Sequence, residues 1–405
     1  MSSPAPARAE RTPKTSRTLL GAMFLMATSA IGPGFITQTT TFTAQLGAAF
    51  AFAIVVSILV DVALQLNVWR VIGVSGLRAQ ELGNRVLPGV GWVLTALVVL
   101  GGLVFNIGNV AGAGLGLDAL LGLDTRWGAA LSALLAVAIF LSRAAGAALD
   151  RIVVVLGLVM IAMTAYVAVV SDPPVGAALR NVVAPETVDP LAITTLIGGT
   201  VGGYITYAGA HRLVDAGVTG PENLRSISRG SVSGILVTAV MRALLFLAVL
   251  GVVAGGTALA AENPAASAFQ AAAGQVGLRV FGVILWAAAL TSVIGASYTS
   301  VSFLTGSSTP VRVRNALTVL FIVVSTAFFV LAGAAPVGLL VFAGAFNGLI
   351  LPIGLVVVLW VALRRRDLLG GYRYPRWLIG TGLLAWLVTL FLAYRSLSTL
   401  GTIWS

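Results

Sequence analysis

The chain has 405 residues, of which 58% are hydrophobic and 9% charged, with a mean hydropathy of +1.02. Soluble domains carry charge on roughly 25% of their residues, so a soluble globular protein is excluded. The formal net charge of +11 resides mostly in Lys and Arg between apolar runs, which sets membrane topology and argues against a nucleic-acid partner.

No cysteine and a single histidine, His211, exclude disulfides, thiolate metal sites and a multi-histidine metal centre. Residues 1–17, with Pro4, Pro6, Arg8, Glu10, Arg11, Lys14 and Arg17, read as a disordered tail. The apolar run behind them is too long for a signal peptide and has no clear cleavage site. Runs of about 20 apolar residues then give eleven expected membrane helices. They lie near residues 19–46, 48–70, 92–116, 127–142, 152–170, 192–213, 230–254, 276–304, 314–334, 337–363 and 377–400.

The first span contains Gly32-Pro33-Gly34, a combination that a continuous helix tolerates least. A break at membrane depth survives only where protein or a water-filled cavity satisfies the freed backbone groups. The second span carries Asp61 near its middle and the seventh carries Arg242. Ionisable groups are rare at that depth, so both are candidates for a charge relay that either pairs or faces water. The sixth span repeats the anomaly of the first in Gly198-Gly199-Thr200-Val201-Gly202-Gly203-Tyr204. A proline kink and close-packing glycines are the plain alternatives. Interrupted helices at corresponding places in two halves mark the midplane site of a transporter. The halves are 18–171 and 190–363, five spans each; because five is odd the second is inverted, and 377–405 adds an eleventh helix.

Connections alternate in charge along the chain. The N-terminal tail, Arg70 to Arg85, Arg143 and Arg151, Arg212 to Arg229, Arg312 and Arg314, and Arg364 to Arg376 fall on one side. By the positive-inside rule the N-terminus is cytoplasmic and, after eleven spans of a plasma (inner) membrane protein, the C-terminus is extracytoplasmic.

These landmarks resemble the Nramp (natural resistance-associated macrophage protein) family of divalent-metal transporters, over nearly the whole chain. Gly32-Pro33-Gly34-Phe35 stands where that family has Asp-Pro-Gly-Asn, and Ala44-Gln45-Leu46-Gly47 matches its Ala-Gln-x-Gly. Gln65, Ser75-Gly76, Leu351-Pro352 and Arg365-Arg366-Asp367-Leu368 follow in order. The resemblance implies an all-α integral membrane protein with a LeuT-like five-plus-five inverted repeat, unwound in spans 1 and 6. The metal-binding residues do not carry over. Gly32 and Phe35 replace the Asp and Asn of span one, Gly202 and Tyr204 replace the Met and His of span six, and Asn106 and Asn109 replace the acids of span three.

A stripped divalent cation needs several oxygen, nitrogen or sulfur ligands, and backbone with one phenol supplies few. The reading is therefore a secondary active transporter for a small amino-acid-like compound or organic acid, with 5-oxoproline as one candidate. Free N–H groups at the half-helix N-termini suit a carboxylate. Gly32, Pro33, Gly34, Phe35, Gln38, Gly202, Gly203, Tyr204, Thr206, Asn106 and Asn109 are the expected substrate site. The eighth span offers Thr291-Ser292, then Ser297, Thr299 and Ser300, hydroxyls that would join span-one carbonyls around Na+ as in sodium-coupled carriers of this fold. H+ or Na+ is the expected coupling ion, with no cofactor and no resident metal. A divalent-metal transporter (Mn, Fe or hydrated Mg) and a receptor-like membrane protein that binds without transport are the alternatives. The chain shows neither a Walker sequence nor paired acids, so ATP-driven pumping and enzymatic activity are not expected. Oligomeric state is left open.

Overall fold

The computed structural model describes residues 30–306, 308–333 and 335–397, and within them every regular element is helical. The expected tail 1–17, the first span as far as residue 29 and residues 398–405 lie outside the described residues. Helices are what hydrocarbon demands, because each N–H and C=O must pair within its own segment.

The first helix, α1 (Pro33–Leu46), starts on a proline, whose missing N–H costs nothing at that position. A 3-10 turn, Gly47–Ala49, leads into α2 (Phe50–Ser75), which Gly76 ends in the left-handed conformation at φ 67°. Then come α3 (Ala79–Val86), α4 (Val90–Leu121), α5 (Thr125–Leu141) and α6 (Arg143–Val170). After α7 (Val175–Val183) the sixth span runs as two pieces, α8 (Pro190–Val201) and α9 (Ile205–Asp215). The chain closes with α10 (Leu224–Ala254), α11 (Pro264–Leu304), α12 (Val311–Ala332), α13 (Pro336–Arg364) and α14 (Arg376–Leu397).

Among the described residues, eight segments are long and apolar enough to cross a membrane, or nine with the bent α6–α7 pair. The expected number was eleven because Pro33–Ser75, one continuous apolar segment, holds two expected spans, and because α5 is an apolar helix of only 17 residues. Within the described residues each of the eleven expected runs overlaps a helix, the first from Pro33 onward and the last as far as Leu397. The structure adds two short amphipathic ones, α3 and α7. In α3, Ala79, Leu82 and Gly83 are buried while Glu81 and Arg85 are exposed. The Asp172-Pro173-Pro174 link bends α6 to α7 by 105°. Helical backbone also lapses inside α11 at Ala273 and Gly274 (φ 60°, ψ −155°), so its second part is the span expected at 276–304.

Two helices form the centre. Helix α4 is buried without interruption from Phe105 to Leu117, and α8 from Leu191 to Val201. Outer helices bury one stripe only. In α12 the buried residues are Thr318, Phe321, Ile322, Ser325 and Phe329, at a spacing of three and four, whereas Leu320, Val323 and Phe328 face outward.

Charged connections meet at one end. Arg78, after α2, contacts Asp215 at the end of α9 at 2.6 Å and donates to the Ser302 carbonyl of α11 at 2.9 Å. Arg365, after α13, donates to the carbonyl of Arg85 at 2.5 Å. At the other end of the 32-residue α4, Arg279 donates to the Leu120 carbonyl at 2.6 Å. The chain thus gathers the ends of spans two, six, eight and ten together, as the charge alternation requires.

Helix α8 approaches α13 so closely that backbone meets backbone. A Cβ on Gly198 would run into the Gly344 carbonyl and lie 2.8 Å from the Cα of Gly348. Gly198→Val is expected to cost about 1–3 kcal/mol or more of stability by overpacking. It should lower the melting temperature of the purified protein in detergent, whereas Gly157→Val, which meets nothing within 4 Å, should leave it unchanged.

Candidate functional site

Both expected breaks are present, and both are buried. Helical backbone stops at Ala30 and resumes at Pro33, with Gly32 extended at φ −101°, ψ −173°. In span six Gly202 is extended (φ −75°, ψ 159°), Gly203 is left-handed (φ 52°) and Tyr204 returns to helical angles.

Side chains from other helices occupy the ground between the breaks. Asn109 of α4 is the most central. Its Oδ1 would lie 3.6 Å from a Cβ on Gly32, and its amide is close enough to the Tyr204 hydroxyl to interact with it. No hydrogen bond of regular geometry forms there, so both amide atoms of Asn109 and the Tyr204 hydroxyl stay unpartnered. One turn earlier, Phe105 stands 3.5 Å from where a Cβ on Gly34 would be, and packs edge-on against Tyr204 with ring centroids 5.6 Å apart.

Two amides pack against the broken spans and tie neighbouring helices together. Gln38 donates to the Leu340 carbonyl at 2.8 Å, and its head is wedged between Gly199 and Gly344, which leaves Oε1 without a partner. Asn347 donates to the Gly101 carbonyl at 3.0 Å and to Ala343 at 2.8 Å, with its unpartnered Oδ1 against Gly203. Pro33 fills the space that a side chain on Gly112 would need. In this conformation Ser292 fills the space beside Gly32, at 2.6 Å from a would-be Cβ, and Asn347 fills that beside Gly203.

Other expected site residues serve packing. Asn106 donates to Ser297 at 3.1 Å and to Ser325 at 3.0 Å, tying α4 to α11 and α12. Ser297 also donates to its own helix at Val293 (2.7 Å), whereas Thr299 and Ser300 keep unpartnered hydroxyls. Thr206 donates to Gln65 at 2.7 Å and its carbonyl accepts from Trp69 at 3.1 Å, which fastens α9 to α2. Phe35 turns away from Tyr204 into an apolar cluster with Met241 and Leu245, and the Arg242 guanidinium lies over its ring at 4.5 Å.

Asp61 and Arg242 are 0% and 1% exposed. They interact electrostatically without closing to contact, and Asp61 also approaches the Thr200 hydroxyl. His211 is 2% exposed. Its Nε2 accepts from the Ala79 N–H at 3.2 Å and its Nδ1 meets Ser302 at 3.0 Å, beside the Arg78–Asp215 pair.

Sequence reasoning missed Asn347, Thr200 and the role of Phe105. Asn347 carried a signal, as a lone amide inside the strongly apolar α13. Phe105 and Thr200 carried none, because an apolar ring and a helical threonine are ordinary in any span.

The family model described as natural resistance-associated macrophage protein-like (Nramp) matches residues 23–399. The chain is 53% identical over 389 residues to the uncharacterized membrane protein YcsG of Bacillus subtilis (strain 168), covering 96% of each chain. Its fold is similar to that of the Eremococcus coleocola manganese transporter, with a TM-score of 0.79 at 20% identity over 98% of this chain and 90% of that one. It is also similar to MhsT in complex with L-phenylalanine, with a TM-score of 0.67 at 16% identity over 95% and 98% of the two chains. At these identities the likeness is one of fold, the LeuT-like five-plus-five bundle.

Gly203 is required twice, by its left-handed backbone and by Asn347 against its Cα. Gly203→Ala should destabilise the protein, and adding Asn347→Ala should recover only part of the loss. The remainder, about 1–2 kcal/mol, belongs to the left-handed conformation. A double-mutant cycle of melting temperatures in detergent measures the split.

Proposed function

This chain belongs to the Nramp family and is a multi-pass membrane transporter of the secondary type, and we propose that its substrate is a small organic molecule rather than a transition-metal ion. One observation carries this reading: the unpartnered buried groups packed beside the breaks are mostly neutral amides and hydroxyls, from Gln38, Asn109, Tyr204, Ser300 and Asn347, and the acid near them, Asp61, is matched by the positive charge of Arg242. Among the described residues no group of three or more His, Asp or Glu could hold a metal ion.

A divalent cation that sheds its water loses far more hydration than such dipoles return, and transition metals prefer imidazole or thioether ligands. A small polar organic solute asks for what is here, a few placed donors and acceptors within an otherwise apolar shell. The first turn of α1 adds N–H groups that have no intrahelical acceptor, which favours an anionic group beside Gly34 and Phe35. The residue halves 18–171 and 190–363 would rock about this point, alternately exposing it to either side. The protein would sit in the plasma membrane with its N-terminus cytoplasmic and its C-terminus extracytoplasmic, driven by an H+ or Na+ gradient.

A divalent cation is the second reading, and the similarity to a manganese transporter favours it. Uptake into proteoliposomes separates the two. Saturable uptake of an amino acid or organic acid, accelerated by an imposed H+ or Na+ gradient, is expected. Tyr204→Phe should weaken apparent affinity about 3–10-fold, the worth of one hydrogen bond. Saturable Mn2+ uptake that Cd2+ competes, with no organic solute carried, would overturn the reading.

A further inference from the structure

The protein contains two acid–arginine pairs of opposite character. At the end of the bundle, Arg78 and Asp215 close to 2.6 Å, as a structural ion pair does. In the interior, Asp61 and Arg242 do not, although both are almost wholly buried and each feels the other's charge. Arg242 lies over the Phe35 ring, and its Nε and Nη2, the edge that binds a carboxylate through two parallel bonds, have no hydrogen-bond partner. Neither oxygen of Asp61 has a hydrogen-bond partner of regular geometry either. Opposite charges held apart out of water pay the desolvation cost without recovering it in contact.

What would satisfy both is a molecule between them that accepts on one side and donates on the other. The pair's place fits that role. Asp61 belongs to the second span and approaches Thr200, two residues before Gly202; Arg242 belongs to the seventh span and lies on Phe35, three residues after Gly32. Spans two and seven are counterparts in the two halves of the fold. Each charge therefore rests on the broken span of the other half.

We propose that Asp61 and Arg242 form a two-ended receptor for the head group of the substrate. The Nε and Nη2 edge of Arg242 takes a carboxylate, and Asp61 takes a hydrogen on the nitrogen attached to the carbon next to that carboxylate. The substrate class is then an α-amino acid or a lactam acid, which share that head group. This rests on the organic-substrate reading above. A zwitterion leaves the site neutral, whereas a lactam acid brings one negative charge.

The test is binding by thermal shift and uptake into proteoliposomes, on the full chain, with L-amino acids and 5-oxoproline. Each strong binder is compared with its matched amine and matched acid. Wild-type protein should prefer carboxylates that carry the neighbouring N–H. Arg242→Lys, which keeps charge but loses the fork, should weaken binding about tenfold or more. Asp61→Asn should weaken amino acids while leaving the matched acid unchanged. The neutral pair, Asp61→Asn with Arg242→Gln, removes the cost of two buried charges, so a merely structural pair would be rescued by it. The receptor predicts a folded protein, by melting temperature and gel filtration, that still does not bind. Wild-type affinity in that double variant would overturn the proposal, as would equal binding of the matched amine. Saturable uptake of an organic solute without a carboxylate would overturn this inference and leave the proposed function standing, while uptake of Mn2+ alone would remove both.

Discussion

The structure depends on a rule of the bilayer: a backbone polar group at membrane depth must find its partner inside the protein. Two breaks, at Gly32 and at Gly202–Tyr204, defy the simplest way of obeying that rule. Amide side chains pack against both of them and tie the surrounding helices together. Gln38 bridges α1 to α13, Asn347 bridges α13 to α4, and Ile205 N–H reaches back to the Gly202 carbonyl at 3.1 Å. Small residues at Gly198, Gly344 and Gly348 let backbones approach closely enough for those short amides to span the gaps. Remove the close approach and the amides no longer reach, so packing and polar satisfaction are one property here.

Much of this was legible in the sequence, for reasons that can be named. Gly-Pro-Gly and a doubled glycine inside long apolar runs are signals because the penalties on proline and glycine are local and act whatever the neighbours are. Alternating arginine density is legible because orientation is set by loops, one at a time. What could not be read were contacts across the chain. Asn347 meets Gly101 and Gly203, and Phe105 meets Gly34 and Tyr204, through helices far apart in sequence. Thr206 has the composition of a site residue yet is committed to Gln65. The amphipathic α3 and α7, of 8 and 9 residues, were too short and too flanked by proline and charge to stand out.

Family membership fixes the scaffold and leaves the chemistry to the residues. In this chain the scaffold is retained where backbone geometry is at stake, at Pro33, Gly34 and the span-six break. Departures from the resembled pattern fall at the two breaks, at Gly32, Phe35, Gly202 and Tyr204, and on α4 at Asn106 and Asn109. Set against the resembled pattern, most departures run from a charged or soft donor to a neutral or absent one, and Phe35 replaces a neutral amide. In general, amides in place of charges lower the cost of burying a site and strip water from a metal ion less readily.

Removing charge from the breaks gives the remaining charges more weight. Among the described residues Asp61 and Arg242 are buried charged groups against the broken spans, at Thr200 and Phe35. At the bundle end Arg78 and Asp215 are in contact, and Asp215 also accepts from Tyr298 at 3.3 Å, so that pair is spent on structure. The interior pair keeps unpartnered donors and acceptors, with the Phe35 ring under Arg242 and Thr200 beside Asp61. Buried charge that is not spent on structure is costly to every state of the protein, so the state that repays it is one in which something else stands between the two groups.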